Sequence, residues 1–211
     1  MPEPRSATVH IVEDDGGLAD GLVRLVRSVG YEARAYGTVS AFLDIALDTG
    51  PSAGPACILL DVRLPDMSGL DLQDRLRTPA ASAPIIMMTG YGDIPMSVRA
   101  MKAGAIDFLM KPFREQDLLD AIGRAVERDR ALLAERATQA VASKRMASLT
   151  SREAQLFHCV VEGLMNREIA ERLDLSIVTV KAHRGAMMRK MEARSVADLV
   201  RVAGLLNGGM Q

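Results

Sequence analysis

The sequence predicts two domains of different class. Residues 1–125 read as an α/β domain on a five-stranded parallel sheet of order 2-1-3-4-5. Residues 148–211 read as an all-α domain of four short helices, and residues 126–147 as a helical linker between them. Three observations carry this. β-rich runs alternate with helical periodicity up to about residue 125, which implies a parallel sheet covered by crossover helices. Residues 126–147 contain neither Gly nor Pro and are rich in Ala, Arg and Glu. Beyond Leu149 no strand pattern recurs.

The first strand is expected at Thr8–Val12. Leu18, Leu22, Leu25, Val26 and Val29 follow at helical spacing, and Gly30 stops that helix. Tyr31 to Tyr36 is the second strand and Ser40 to Asp48 the second helix. Ala56-Cys57-Ile58-Leu59-Leu60 is continuously apolar, as a strand buried on both faces should be. A helix after Gly69, a strand over Pro84–Met88, a helix around Pro95–Ala103, a strand over Ile106–Met110 and a helix from Asp117 complete the alternation. Ile122, Val126, Leu133, Ala137 and Val141 give the linker an imperfect apolar stripe. In the last domain Thr150-Ser151-Arg152-Glu153 matches a capping box. Gly163 stops that helix, and Asn166, Ser176 and Ser195 are placed to cap the next three.

Composition is that of an ordinary globular protein, 48% hydrophobic and 25% charged. No apolar run reaches the ~18–20 residues of a membrane span, and the N-terminal residues show no secretory leader. Two cysteines, Cys57 and Cys159, exclude a disulfide framework, so the cytoplasm is the expected compartment. The net charge of −1 is unevenly spread. Residues 1–125 carry 12 Lys/Arg and 17 Asp/Glu, net −5; residues 126–147 carry 5 and 3; residues 148–211 carry 9 and 7, net +2. The first domain suits a cation, and the last tolerates a polyanion. His10, His158 and His183 have no metal-ligand spacing with the cysteines, and no glycine-rich nucleotide loop is present.

In a doubly wound sheet, ligands bind at the carboxyl ends of the strands where strand order reverses. Glu13 and Asp14 end strand 1 and Asp61 ends strand 3, so the three carboxylates converge there. Mg²⁺ is the fitting counter-ion, bound by a few carboxylates and by phosphoryl oxygens. Thr89 ends strand 4 and Lys111 ends strand 5. A lysine ammonium and a threonine hydroxyl can both meet an incoming phosphoryl group, with Asp61 as nucleophile.

This constellation resembles the receiver domain of two-component response regulators, a flavodoxin/CheY-like fold, over residues 8–125. The resemblance implies Asp61 as phosphoacceptor. It implies Glu13, Asp14, Asp61 and the backbone carbonyl of Arg63 as the Mg²⁺ site, Thr89 and Lys111 as the phosphoryl-sensing pair, and Phe108 as an aromatic switch. Gly90 would keep space near the phosphoryl group, and Arg63 and Tyr91 would shield it from water.

In the last domain, Asn166–Leu173, the turn Asp174-Leu175-Ser176 and a helix from Ile177 read as a helix-turn-helix. Ile169, Ala170 and Leu173, then Val180, Met187, Met188 and Met191, are its inward positions. The amino-terminal part of the second helix would enter the major groove. Charge alone does not separate this from a small bundle with a solvated basic face. Residue order does: Leu149-Thr150-Ser151-Arg152-Glu153, Asn166-Arg167-Glu168-Ile169-Ala170 and Thr179-Val180-Lys181-Ala182-His183-Arg184 resemble the LuxR/NarL-type DNA-binding domain. Gly90 to Ala105 points to the FixJ-like branch, with StyR-type regulators similar throughout. Lys181, Ala182 and Arg184 then fall in the base-facing segment, Thr179 beside them, and Arg189 and Lys190 near the DNA backbone. Gly185 stands where relatives can carry a basic residue.

The function implied is a phosphorylation-controlled, Mg²⁺-dependent transcriptional regulator. A sensor histidine kinase would phosphorylate Asp61. The chain would then form a homodimer, release its DNA-binding domain, or both, to bind promoter DNA and activate transcription by RNA polymerase. No enzyme activity beyond self-phosphorylation and self-dephosphorylation is expected. One alternative is a regulator whose receiver works without phosphorylation, against which the set Asp14, Asp61, Thr89 and Lys111 argues. Another is an aspartyl-nucleophile phosphatase, which would need a second acid where Arg63 stands.

Overall fold

The computed structural model describes residues 7–48, 54–76, 83–90 and 94–207. The chain divides into two compact units, Met1–Leu133 and Ala134–Gln211.

In the first unit, strands β1 (Thr8–Val12), β2 (Glu32–Tyr36), β3 (Ala56–Asp61), β4 (Ile85–Thr89) and β5 (Asp107–Met110) alternate with α1 (Gly16–Ser28), α2 (Val39–Asp48), α3 (Gly69–Arg75), α4 (Ile94–Lys102) and the first part of α5 (Glu115–Ala147), which runs on into the second unit. All strand pairs are parallel and the order is β2-β1-β3-β4-β5, as the sequence predicts. Element ends move by one or two residues from their sequence positions, where periodicity is weakest.

β3 and β4 are buried along their whole length because helices cover both faces of the sheet. Successive side chains divide between two cores. Val9, Ile11, Cys57 and Leu59 pack with Leu22 and Val26 of α1 and with Leu118 and Ile122 of α5. Val12, Ile58 and Leu60 pack on the other side with Phe42 of α2, Leu70 and Leu72 of α3 and Ala100 of α4. Burial pushes the Cys57 thiol up to about 12, with the negative charge of Asp129 adding to the effect, so this cysteine is a packing residue.

α5 is one helix of 33 residues, so the expected boundary at 125/126 falls inside it. The Asp129 carboxylate accepts a buried 2.8 Å bond from the Ala56 amide at the start of β3. The helix is therefore tied to the sheet past residue 125. The expected apolar stripe is corrected at its far end: Ala137 and Val141 are exposed and Ala142 is buried. From Ala134 the helix belongs to the second unit, so its buried side there is set by different neighbours.

In the second unit, α6 (Ser151–Val161), α7 (Asn166–Leu173), α8 (Ile177–Lys190) and α9 (Val196–Asn207) enclose a core of Leu156, Phe157, Ile169, Val180, Met187, Met191 and Leu199. The Thr150–Glu153 capping box forms as predicted. Gly163, at φ +88°, ends α6 in the left-handed region that favours glycine. Ser176 caps α8 by accepting the Thr179 amide, and Ser195 accepts the Asp198 amide. Asn166 does not cap α7. The N-cap position is Met165, whose amide is taken by the Glu168 carboxylate. Among the described residues no helix is long and apolar enough to cross a membrane.

Candidate functional site

The carboxyl edge of the sheet collects the acidic residues at the β1/β3 switch point. Val12 pairs with Leu60 across that point, so the next residues on each strand, Glu13 and Asp61, emerge side by side. One carboxylate oxygen each of Glu13, Asp14 and Asp61 lies within 4.8 Å of the others. Glu13 and Asp61 are buried and Asp14 is exposed. The third acid of the run, Asp15, is a helix cap: its carboxylate accepts the Leu18 amide at the start of α1.

Lys111 joins the cluster from β5. Its Nζ lies 2.5 Å from Glu13 Oε2 and 2.6 Å from Asp61 Oδ2. Its backbone amide donates a 2.7 Å bond to the Thr89 carbonyl, and the Lys111–Pro112 peptide is cis. One ammonium shared by two carboxylates leaves a net negative charge, and Glu13 is the more deeply buried of the two. Burial pushes the Glu13 carboxyl above its ordinary range, against the opposing pull of Lys111. Burial would lower Lys111, but its bonds to Asp61 and Glu13 outweigh that and hold it above the usual lysine value.

Thr89 is fully buried at the end of β4, one residue beyond Met88, which pairs with Asp61. Phe108 on β5 pairs with Met87 and is half-buried against the second core. Arg63 is exposed, and its amide donates to Asp61 Oδ1 at 3.0 Å. A Cβ on Gly90 would meet nothing within 4 Å. Tyr91 lies outside the described residues.

Two positioning residues escaped the sequence reading. Gly69, first residue of α3, packs so closely that an added Cβ would stand 2.2 Å from the Asp61 carbonyl oxygen. Asp66 pins the loop after β3 to the start of α2, accepting bonds from the Val39 and Ser40 amides and the Ser40 hydroxyl. Pro65-Asp66-Met67-Ser68-Gly69 carries turn composition, but nothing in it names the partner of either residue.

The predicted DNA-facing residues all lie on α8, in different circumstances. Lys181, Ala182 and Arg189 are exposed. Thr179 shares a 2.7 Å hydrogen bond with the Ser176 hydroxyl. Arg184 donates a 2.6 Å bond to the Asn166 side chain, bracing α8 against α7. Lys190 pairs with Glu153 at 2.6 Å, joining α8 to the capping box of α6. Arg184 and Lys190 therefore have internal partners that sequence spacing could not reveal.

The first unit thus carries a carboxylate–lysine cluster at the switch point of a doubly wound sheet, and the second a helix-turn-helix. Comparison with known proteins makes this specific. Residues 9–123 match the response regulator receiver domain, and residues 147–203 match the luxR family of bacterial regulatory proteins. Nodulation protein W of Bradyrhizobium diazoefficiens is 46% identical over 200 residues, 95% of this chain and 86% of its own length. Response regulator protein TmoT of Ectopseudomonas mendocina is 43% identical, covering 98% and 92%. Transcriptional regulatory protein FixJ of Rhizobium meliloti is 40% identical, covering 96% of each. The solved structure of response regulator StyR superposes with a TM-score of 0.83 at 42% identity, over 94% of this chain and 98% of that one. The chain belongs to the FixJ-like response regulators, with a receiver domain and a luxR-type DNA-binding domain. It is a phosphorylation-controlled transcriptional regulator.

Proposed function

We propose that Asp61 accepts a phosphoryl group from a cognate sensor histidine kinase, and that this raises the affinity of the luxR-type unit for promoter DNA. The observation that carries the reading is the double contact of Lys111 with Asp61 and Glu13 beside three clustered carboxylates. On this reading residues 1–125 are the receiver, 126–147 the linker and 148–211 the DNA-binding domain.

The carboxylate spacing fits a divalent cation: three oxygens within 4.8 Å of one another suit a hard ion that prefers oxygen ligands. Glu13, Asp14, Asp61 and the Arg63 carbonyl would hold Mg²⁺, which supplies charge neutralisation around the phosphoryl oxygens. An Asp61 oxygen attacks phosphorus. The P–O bond forms as the donor's P–N bond breaks, and that electron pair stays on the donor histidine nitrogen. Lys111 exchanges its bond to Asp61 for one to a phosphoryl oxygen. The Thr89 hydroxyl donates to another oxygen, and Phe108 follows it inward. The chain acts as phosphoacceptor and not as a catalyst of turnover on other substrates, and it works in the cytoplasm.

The face bearing Ile94, Val98, Met101 and Met110 exposes apolar side chains on α4 and β5. Such a face favours a two-fold homodimer on phosphorylation, which would place two α8 helices on two half-sites and present the complex to RNA polymerase. Labelling with acetyl phosphate in Mg²⁺ tests the assignment. Incorporation should be lost in Asp61→Asn, and undiminished labelling of that variant overturns it.

A further inference from the structure

We infer that α8 reads thymine 5-methyl groups in the major groove through Val178 and Ala182, so that apolar contact sets part of the operator sequence. The inference rests on the DNA-binding reading above and names what that interface recognises.

α8 has two opposite sides. Val180, Met187 and Met191 are buried in the core of the second unit. Val178, Lys181, Ala182, Gly185 and Arg189 stand at spacings i, i+3, i+4, i+7 and i+11, which places them together on the other side. Val178 is 78% exposed in the first turn of the helix. An isopropyl group held out in water there stabilises nothing in the fold, because side-chain burial is what an apolar residue contributes. Ala182, one turn on, is also exposed.

The flanks fit a nucleic acid. Lys181 and Arg189 are exposed cations on the same side, and α8 contains no acidic residue. Gly185 keeps the middle of the strip flat. A Cβ there would come 3.6 Å from Arg189 Nη1, so the guanidinium lies back along the strip. The centre of the strip is thus small and apolar, with charge at its borders. In the major groove the feature that matches an apolar side chain is the C5-methyl of thymine, while charged side chains pair with guanine edges or phosphates.

The test begins with sites selected from random duplex DNA by the full chain in its beryllium-fluoride form. Each thymine is then replaced singly by deoxyuridine, which removes only the methyl. At one or two positions per half-site the substitution should weaken binding about fourfold, the loss corresponding to ~0.8 kcal/mol for a methyl-sized group. Val178→Ser should show less than a twofold deoxyuridine penalty at one of these positions, and Ala182→Gly at its neighbour. Thermal melting checks that the variants fold, which exposure at both positions favours. Sequence-selective binding that ignores every deoxyuridine overturns the inference and leaves DNA binding standing. So does a penalty that persists unchanged in both variants. Absence of any sequence preference in the parent overturns the DNA-binding reading, and this inference with it.

Discussion

A Cβ on Gly69 would stand 2.2 Å from the carbonyl oxygen of Asp61, so the start of α3 is packed directly on the backbone of the proposed phosphoacceptor. That contact is backbone to backbone and cannot be relieved by a rotamer change. Gly69→Ala should therefore destabilise the first unit by about 1–3 kcal/mol, the usual range for overpacking. It should also slow labelling of Asp61 by acetyl phosphate. Chemical denaturation and a labelling time course read the two effects separately.

Lys111→Ala removes the ammonium shared by Asp61 and Glu13. The Asp61 nucleophile remains, so phosphoryl incorporation should persist. The group that would hold the phosphoryl oxygen is gone, so DNA affinity should no longer rise on labelling. Comparing the affinities of labelled and unlabelled variant checks this; a parent-like rise shows that Lys111 has another role.

Thr150→Ala deletes one half of the α6 capping box and should cost about 1 kcal/mol of the second unit's stability. Acid should act on the same place. Its bonds to Lys190 and to the Thr150 amide hold the Glu153 carboxyl below the ordinary glutamate value of 4.5. A carboxyl depressed on folding contributes stability that is complete above its unfolded pKa and is lost as pH falls through the lower folded value. Glu153→Gln should flatten that part of the acid-unfolding curve, measured by circular dichroism.

Lys181→Ala should weaken specific DNA binding by about 1–3 kcal/mol and relax one operator position if the side chain reads a base. A uniform loss on all sequences, with a smaller salt slope, would assign it to a phosphate. Arg184→Ala should act differently. Arg184 braces α8 against Asn166, so its loss should lower the melting temperature as well as the affinity.

Sedimentation of the beryllium-fluoride form should show a dimer, and Ile94→Lys, which puts a charge on the exposed α4–β5 face, should return it to monomer. Ile94 is 80% exposed, so the resting fold should tolerate the substitution. A strictly monomeric activated parent, free and on DNA, rules out the dimer.

Much of this was legible in the chain order. The apolar run Ala56–Leu60 named a strand covered on both faces, and the strand ends placed Glu13, Asp61, Thr89 and Lys111 at one edge of the sheet. Local chemistry was equally readable at Thr150 and Glu153, because a capping box is complete within four residues. Asn166 and Asp15 show the limit of such reading. Both are residue types that cap helices, and only the structure assigns the cap to Asp15 and an inter-helix brace to Asn166.

The sequence by itself determined the alternation of elements, the parallel sheet, and which side chains leave its carboxyl edge, since period-2 and period-3.6 patterns and turn residues are local properties of the chain. Tertiary structure alone decided the partners. Lys111 bridges Glu13 and Asp61, Gly69 abuts the Asp61 backbone, Asp129 secures β3, and Lys190 is paired with Glu153 while Lys181 stays exposed. The Lys111, Asp129 and Lys190 contacts join residues far apart in the sequence, Gly69 meets Asp61 across the loop after β3, and hydrogen bonds and close packing are fixed by distances of a few ångströms that no local periodicity encodes.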